Sequence, residues 1–323
     1  MRAWGPLEWL LRKLPQTKEP IYVVGSLSSE ERCTAVPSIA ARHSPERVRL
    51  LKIVDPPSRY SSKIKDKTER NYGTLCNLLG DVLEAPAERF LFDNDEFIAS
   101  AFDFLDSCTS PCSLWLDVTC LPKRFFFLLV KLALRDPRIR NLLVTYAQPA
   151  PGRYTDEHLA EDPGDAQPLP GFGLVESDPD ELIIAVGFES LGLPQLLGEY
   201  RDKRRLVLVP FPPGQPYSRR IWQTIMNIGH PGDANLKRVP ALDVFEALDI
   251  IKEDTSYDIA LGKPPALAPY GPKPISLAMC LYAVKFGSPV FYTQPRVYHP
   301  DYTVGVGSSW AYSLKRNGRE VWL

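Results

Sequence analysis

The chain has 323 residues, enough for two ordinary domains or one large one, and its 44% hydrophobic and 24% charged residues are normal for a globular protein. A net charge of −1 gives no global pull toward nucleic acid or an acidic membrane, so an anion site has to be a local patch. No apolar run approaches the roughly 20 residues needed to span a bilayer. Six cysteines accompany an N-terminus (Met1 to Leu14) without a cleavage-site pattern, which leads us to expect a cytoplasmic protein with reduced thiols. Cys108-x3-Cys112 has no second pair at zinc spacing and the four histidines are scattered, so no metal is expected.

In chain order, residues 1–19 read as a helical lead-in with an apolar stripe of Leu7, Trp9, Leu10, Leu11 and Leu14. Ile21–Val24 is a buried strand stopped by Gly25-Ser26, with a helix from about Glu30. The alternation continues through the strand Val48–Val54 closed by Asp55-Pro-Pro57, a helix Lys63–Leu83, the strand Arg89–Phe92 and a helix Phe97–Leu105. It ends with the strand Ser113–Thr119, a helix Lys123–Leu134 and the strand Leu142–Tyr146. Strands alternating with helices of this length imply a parallel, doubly wound sheet. Residues 150–180, rich in Pro, Gly, Asp and Glu, read as a linker, with an ordered loop bordering a site as the alternative.

After this break the pattern restarts. Glu181–Val186 runs into Gly187-Phe-Glu189-Ser190 as Val23-Val24 runs into Gly25-Ser26, and Arg205–Val209 ends at Pro210-Phe-Pro-Pro213. A helix Arg219–Ile228, a weaker strand and helix over Val239–Ile251, and a fourth strand within Tyr257–Pro269 follow. The turn Gly271-Pro-Lys-Pro274, its helix and the strand ending Tyr292-Thr-Gln-Pro295 then match Leu121-Pro-Lys-Arg124, its helix and Tyr146-Ala-Gln-Pro149. Matched points lie 162 residues apart for Gly25 and Gly187, 156 for Pro56 and Pro212, 150 for Lys123 and Lys273, and 146 for Gln148 and Gln294. A one-way drift of this kind fits an internal duplication. The expected architecture is α/β, two tandem Rossmann-like sheets: a first copy over 1–149, the 150–180 segment, and a second copy over 181–323. The tail, with Asn317-Gly318 between alternating apolar residues, reads as a β-hairpin on the second sheet.

Ligands of open parallel sheets bind beyond the carboxyl ends of the strands, where the strand order reverses. That edge should collect Gly25, Ser26, Asp55, Arg59, Asp117, Thr119, Lys123, Arg124 and Gln148 from the first half. From the second it should collect Gly187, Glu189, Ser190, Tyr217, Arg219, Arg220, Lys273, Ser276 and Gln294. Lys123 and Lys273 stand at helix starts, where a cation opposes the helix dipole unless an anion joins it, so a phosphate-bearing ligand is the natural occupant. Asp55, Asp117 and Glu189 are candidate acids or bases should the protein be an enzyme. Each residue also has a plainer role, the glycines in tight turns and the aspartates as helix caps. No G-x-G-x-x-G, P-loop, G-x-S-x-G elbow or zinc-deaminase signature is present, and no cofactor is indicated.

The turn Tyr270-Gly-Pro-Lys-Pro274, its apolar Ser-Leu-Ala helix and the strand of type Val-x-Tyr resemble the ligand-binding domains of CRISPR-associated Rossmann-fold sensors. Those carry a Thr-Gly-Gly-Thr-Lys-like turn before the same helix. Here the lysine and one glycine match, and Thr119-Cys-Leu-Pro-Lys123 keeps the threonine and lysine without a glycine. The resemblance implies two domains paired about a twofold axis, binding a cyclic oligonucleotide for an attached effector, whereas two sheets use nearly this whole chain. The expected function is therefore that of a nucleotide or phosphorylated-ligand sensor or partner subunit in bacterial defence, with an effector carried by a protein partner. The alternatives are an enzyme acting on a nucleotide or sugar at the same edge, and a non-catalytic scaffold in a defence or toxin–antitoxin complex.

Overall fold

The computed structural model describes residues 2–15, 17–107, 111–151, 160–173, 179–187, 191–212, 218–228, 235–255, 263–301 and 303–323. The first elements are β1 (Trp4–Pro6), α1 (Leu7–Lys13), β2 (Ile21–Leu27), α2 (Ala35–Ala40), β3 (Arg47–Val54), α3 (Ser61–Leu79) and β4 (Ala87–Phe90). They are followed by α4 (Asp95–Ala99), β5 (Cys112–Asp117), α5 (Lys123–Arg135) and β6 (Ile139–Ala147). Next come the short strands β7 (Glu161–Pro163) and β8 (Gln167–Pro168), then β9 (Glu181–Ala185), α6 (Leu193–Glu199), β10 (Arg204–Phe211), α7 (Ser218–Ile228) and β11 (Asn235–Pro240). The chain finishes with α8 (Val244–Asp254), β12 (Ala266–Pro269), α9 (Lys273–Phe286), β13 (Phe291–Tyr292), β14 (Pro295–Val297), β15 (Ser309–Arg316) and β16 (Arg319–Glu320). Two compact units result: Met1–Leu159 with Val297–Leu323, and Ala160–Arg296.

In the first unit the sheet order is β1-β15-β6-β5-β2-β3-β4, with β16 on β15. The five strands from β6 to β4 are parallel, and β15 is antiparallel to β6 and to β1. Numbered along the parallel set, the order is third, second, first, fourth, fifth, the doubly wound arrangement, which reverses between β2 and β5. Helix α2 packs with α3, and α4 with α5. β5 is buried at all six positions, as a central parallel strand covered on both faces requires.

In the second unit the order is β11-β10-β9-β12, all parallel, which is again third, second, first, fourth. A parallel bridge from Leu267 to Val290 sets the chain before β13 beside β12, where β6 stands beside β5. Helices α6 and α7 pack together, as do α8 and α9. The fourth strand expected within Tyr257–Pro269 is the four-residue β12 at its end.

Three expectations are corrected. Residues 1–19 are not helical throughout: Trp4–Pro6 extends the sheet before α1 begins, and Trp4 stacks on Trp310 with ring centroids 5.7 Å apart. Within α1, Leu7 and Leu10 are buried while Trp9 faces out. The C-terminal hairpin forms at Asn317-Gly318, both at positive φ, but it joins the first sheet, not the second. There β15 buries Ala311, Tyr312 and Leu314 and covers the edge of β6 that would otherwise leave a row of backbone groups unpaired. The second unit accordingly ends at Arg296, not at residue 323. Of the 150–180 segment, read as a linker or an ordered loop, residues 160–173 are packed into the second unit: β8 pairs with β13, β7 with β14, and Leu169 and Phe172 are buried.

Candidate functional site

At the carboxyl edge of the first sheet, Gly25 in β2 lies against Asp117 at the end of β5. A Cβ at Gly25 would stand 3.2 Å from the Asp117 Cβ, so glycine lets the two strands close at the reversal point. Asp117 is buried and accepts hydrogen bonds from the Thr119 amide at 3.2 Å, the Thr119 hydroxyl at 2.5 Å and the Thr145 hydroxyl at 3.3 Å. The Ala147 amide in turn donates to the Thr119 oxygen at 2.8 Å. This network ties the β5 turn to β6, which gives Asp117 and Thr119 a structural task. Ser26 is likewise turned inward, donating to the Leu51 carbonyl at 3.1 Å.

The crossover after β2 carries a buried ion pair that the sequence did not single out. Arg32 is 5% exposed; its guanidinium meets Glu30 Oε2 at 2.5 Å and donates to the Ala147 carbonyl at 3.1 Å. The Thr303 hydroxyl also donates to Glu30. The one sequence signal was the acidic pair Glu30-Glu31 followed at once by Arg32, visible only as the start of a helix.

Thr303 belongs to a strap, residues 297–301 and 303–308, that lies along this edge before β15. Asp301 pairs with Lys63 at 2.5 Å and with Lys67 at 3.2 Å, both at the start of α3. His299 sets its ring 4.6 Å from that of Tyr60. Beyond Thr303, Gly305 sits against Ala150, and the Gly307 amide donates to the Gln148 carbonyl at 2.8 Å. The strap thus runs from the end of β3, past that of β2, to the end of β6. Gln148, expected to contact ligand, is held by it: its amide donates to the Ser308 carbonyl, and its side-chain oxygen accepts from Trp310 Nε1 at 2.8 Å.

Lys123 opens α5 behind Pro122, with no capping side chain and no acidic residue in the first turn, and is itself buried. Arg124 beside it donates to the Asp93 carbonyl at 2.7 Å and lies 5.4 Å from the centre of the Phe92 ring. Its Nε is buried without a partner among the described residues, and burial pulls the guanidinium below its usual pKa. Arg59 is exposed, stacked 4.8 Å over Tyr60. Asp55 follows the last residue of β3, and burial pushes its carboxyl up to about 6.

In the second unit, close backbone packing fills the corresponding reversal point. A Cβ at Gly187 would lie 2.4 Å from the Tyr270 carbonyl oxygen, and one at Gly271 would lie 3.0 Å from the Ala185 Cβ. The Tyr270 hydroxyl meets Thr293 Oγ1 at 2.9 Å, and burial pushes this phenol up to about 12. Lys273 opens α9 as Lys123 opens α5, again behind a proline and without first-turn acids. Ser276 donates to the Gly271 carbonyl at 3.3 Å, bracing that turn, and Gln294 is buried and donates to the Pro295 carbonyl. Arg220 lies in α7, half-buried. Glu189, Ser190, Tyr217 and the side chain of Arg219 lie outside the described residues. So do Cys108 and any partner it has, and the described residues hold no cluster of His, Cys, Asp or Glu suited to a metal.

No family model matches this chain, and no curated protein is similar to it. Among solved structures, the cytoplasmic domain of a prokaryotic cation chloride cotransporter aligns with 87% of this chain and 96% of its own, at 10% identity and a TM-score of 0.24. A universal stress protein from Archaeoglobus fulgidus DSM 4304 covers 85% and 96%, at 11% identity and a TM-score of 0.26. The leucoanthocyanidin reductase–NADPH complex from Vitis vinifera covers 83% and 87%, at 10% identity and a TM-score of 0.25. At such TM-scores these likenesses say nothing about the site. The α/β, Rossmann-like class rests on this chain's own strand order and crossovers. No described helix is long and apolar enough to cross a membrane.

Proposed function

We propose that this chain binds a nucleotide or a similar phosphorylated small molecule at a strand-end crevice and acts as a sensor or as the partner subunit of an effector. The observation that carries the proposal is the repeated corner. In each unit the helix after the fourth parallel strand starts with lysine, behind a proline, with no side-chain cap and no acid in its first turn. The positive end of a helix and an adjoining ammonium favour an anion over water. In the first unit the helix start after β2 instead carries Glu30 and Glu31, with Glu30 paired to Arg32. Descent of both units from one copied unit, and a role in bacterial defence, extend the proposal; the shared strand order supports the first, the resemblance in the lysine turn the second.

Thermal-shift titration of the full chain with mono-, di- and cyclic nucleotides tests it. A ligand at a hundred times its Kd adds about 2.7 kcal/mol to stability, a shift of several degrees. Lys273 is half-buried, and Lys273→Ala should weaken the shift for ligands of the second unit. Nucleotides that leave wild type and Lys273→Ala equally unstabilised would refute the proposal.

A further inference from the structure

Each sheet ends on its third parallel strand, β4 in the first unit and β11 in the second. At β4 part of the outward backbone is already used. Asp93 accepts from the Phe90 amide at 2.8 Å, and Arg89 Nη1 donates to the Glu88 carbonyl at 2.8 Å, so this edge offers side chains more than a free ladder. Arg89 Nε also donates to the Phe97 carbonyl at 2.9 Å, drawing α4 back against β4, with Leu91 and Ile98 buried as anchors. The turn held in this way leaves Phe90, Phe92 and Phe97 between 49% and 64% exposed. An aromatic side chain buries about 150–250 Å² when covered, so these three leave on the order of 300 Å² of apolar surface in water. Asp95 and Glu96, both exposed, stand in the same turn. Three aromatics exposed within eight residues, rimmed by carboxylates, mark a docking surface.

The edge of the second sheet has the opposite charge. Val207 and Val209 face the core formed with α6 and α7, and the register sets Leu236 beside Val207 and Arg238 beside Val209, so both lie on the α7 side of β11. Lys237 points the other way and pairs with Asp254 of α8 at 2.7 Å. Phe211, two residues beyond Val209, is exposed and has the Arg238 guanidinium 5.8 Å from the centre of its ring. On α7, Ile221, Ile225 and Ile228 face the core, whereas Trp222 and Met226, one turn apart, are more than half exposed. Neither α7 nor β11 contains an acidic residue, and together they contain Arg219, Arg220, Lys237 and Arg238. This side of the second sheet is therefore apolar and basic where the β4 turn is apolar and acidic.

We propose that the β4 turn of one chain docks on the α7–β11 face of a second copy, the phenylalanines against the apolar side chains of that face and Asp95 and Glu96 against Arg238. The two surfaces are unlike, so the contact runs head to tail and extends unless a ring closes it. Sedimentation velocity of the full chain over a range of concentrations tests this. Wild type should associate, its mean sedimentation coefficient rising with concentration. Asp95→Lys with Glu96→Lys makes the turn basic, and Gln223→Glu with Arg238→Glu makes the face acidic. Each double variant alone should associate about tenfold more weakly or worse, because like charges then meet. An equimolar mixture of the two should recover association: the basic turn of one meets the acidic face of the other, and the unaltered turn and face meet as in wild type. All four positions are exposed, so both variants should melt close to wild type. A wild type that stays monomeric, variants that associate as wild type does, or a mixture no stronger than its components overturns the proposal. None of these outcomes depends on nucleotide binding.

Discussion

Replacing Arg32 by methionine keeps the aliphatic stem and removes the guanidinium that joins the β2 crossover to β6 and, through Glu30, to the strap. Two groups lose a donor: the Ala147 carbonyl, at 3.1 Å, and the Glu30 carboxylate, at 2.5 Å. A buried carbonyl left unsatisfied costs about 1–3 kcal/mol, and breaking a fully buried pair costs about 3–5 kcal/mol. Glu30 is 20% exposed and keeps the Thr303 hydroxyl, so water and that donor recover part of the loss. The two contributions together give about 2–4 kcal/mol, or roughly 5–15 °C in the melting of a unit of this size. Five of the six tryptophans (Trp4, Trp9, Trp115, Trp310 and Trp322) belong to the first unit, so intrinsic fluorescence during heating follows it. Adding Glu30→Gln to Arg32→Met should restore 1 kcal/mol or more, on the order of the penalty for a stranded charge. The exposed pair Arg42–Glu8, at 63% and 53%, supplies the control, since its loss should cost less than about 1 kcal/mol. Equal small effects for Arg32→Met and Arg42→Met would refute the claim that the Arg32 pair fastens the strap to the sheet edge.

Asp55→Asn should stabilise the unliganded protein at neutral pH. With the folded carboxyl raised from 3.8 to about 6, its contribution is fully present below the unfolded value and is lost as pH rises through 6. The variant should therefore match wild type at pH 4 and exceed it by on the order of 2 kcal/mol at pH 7.5, as denaturant titrations at the two pH values would reveal. Gly187→Ala drives a Cβ to 2.4 Å from the Tyr270 carbonyl, a backbone atom that cannot step aside; it should cost more than about 2 kcal/mol and lower the transition reported by Trp222, the tryptophan of the second unit. A thiol-reactive dye should label Cys76 and Cys120, half-buried, well before Cys33, whose thiol burial pushes up to about 12. Labelling of Cys33 at the same rate would contradict its packing in the core.

Much of the fold was legible because it is written in local periodicity. Runs such as Leu114–Leu116 and Leu182–Val186 are apolar at every position, as a strand covered on both faces requires, and the Pro-Lys turns mark where the following helices start. The placement of the candidate residues was legible in outline. Gly25, Asp117, Thr119 and the two lysine corners do gather at the carboxyl edges of the two sheets, but Ser26, Asp117 and Gln148 are engaged in holding the edge together. Their tasks could not be read from residue type, because a hydroxyl or carboxylate that braces a turn looks the same in sequence as one that meets a ligand.

By itself the sequence determined that two sets of alternating strands and helices would form and that a hairpin would close at Asn317-Gly318. Tertiary structure alone decided where that hairpin went and what lies over the first sheet's carboxyl edge. The reason is physical. An antiparallel strand satisfies any open edge of suitable length, and its own alternation carries no address. The open side of β6, about 160 residues upstream, had groups to pair and an apolar face to match, as in the register of Trp310 with Tyr146. Once β15 settled there, the chain leading to it had to pass over the ends of β3, β2 and β6, and the contacts of His299, Asp301 and Thr303 followed from that path.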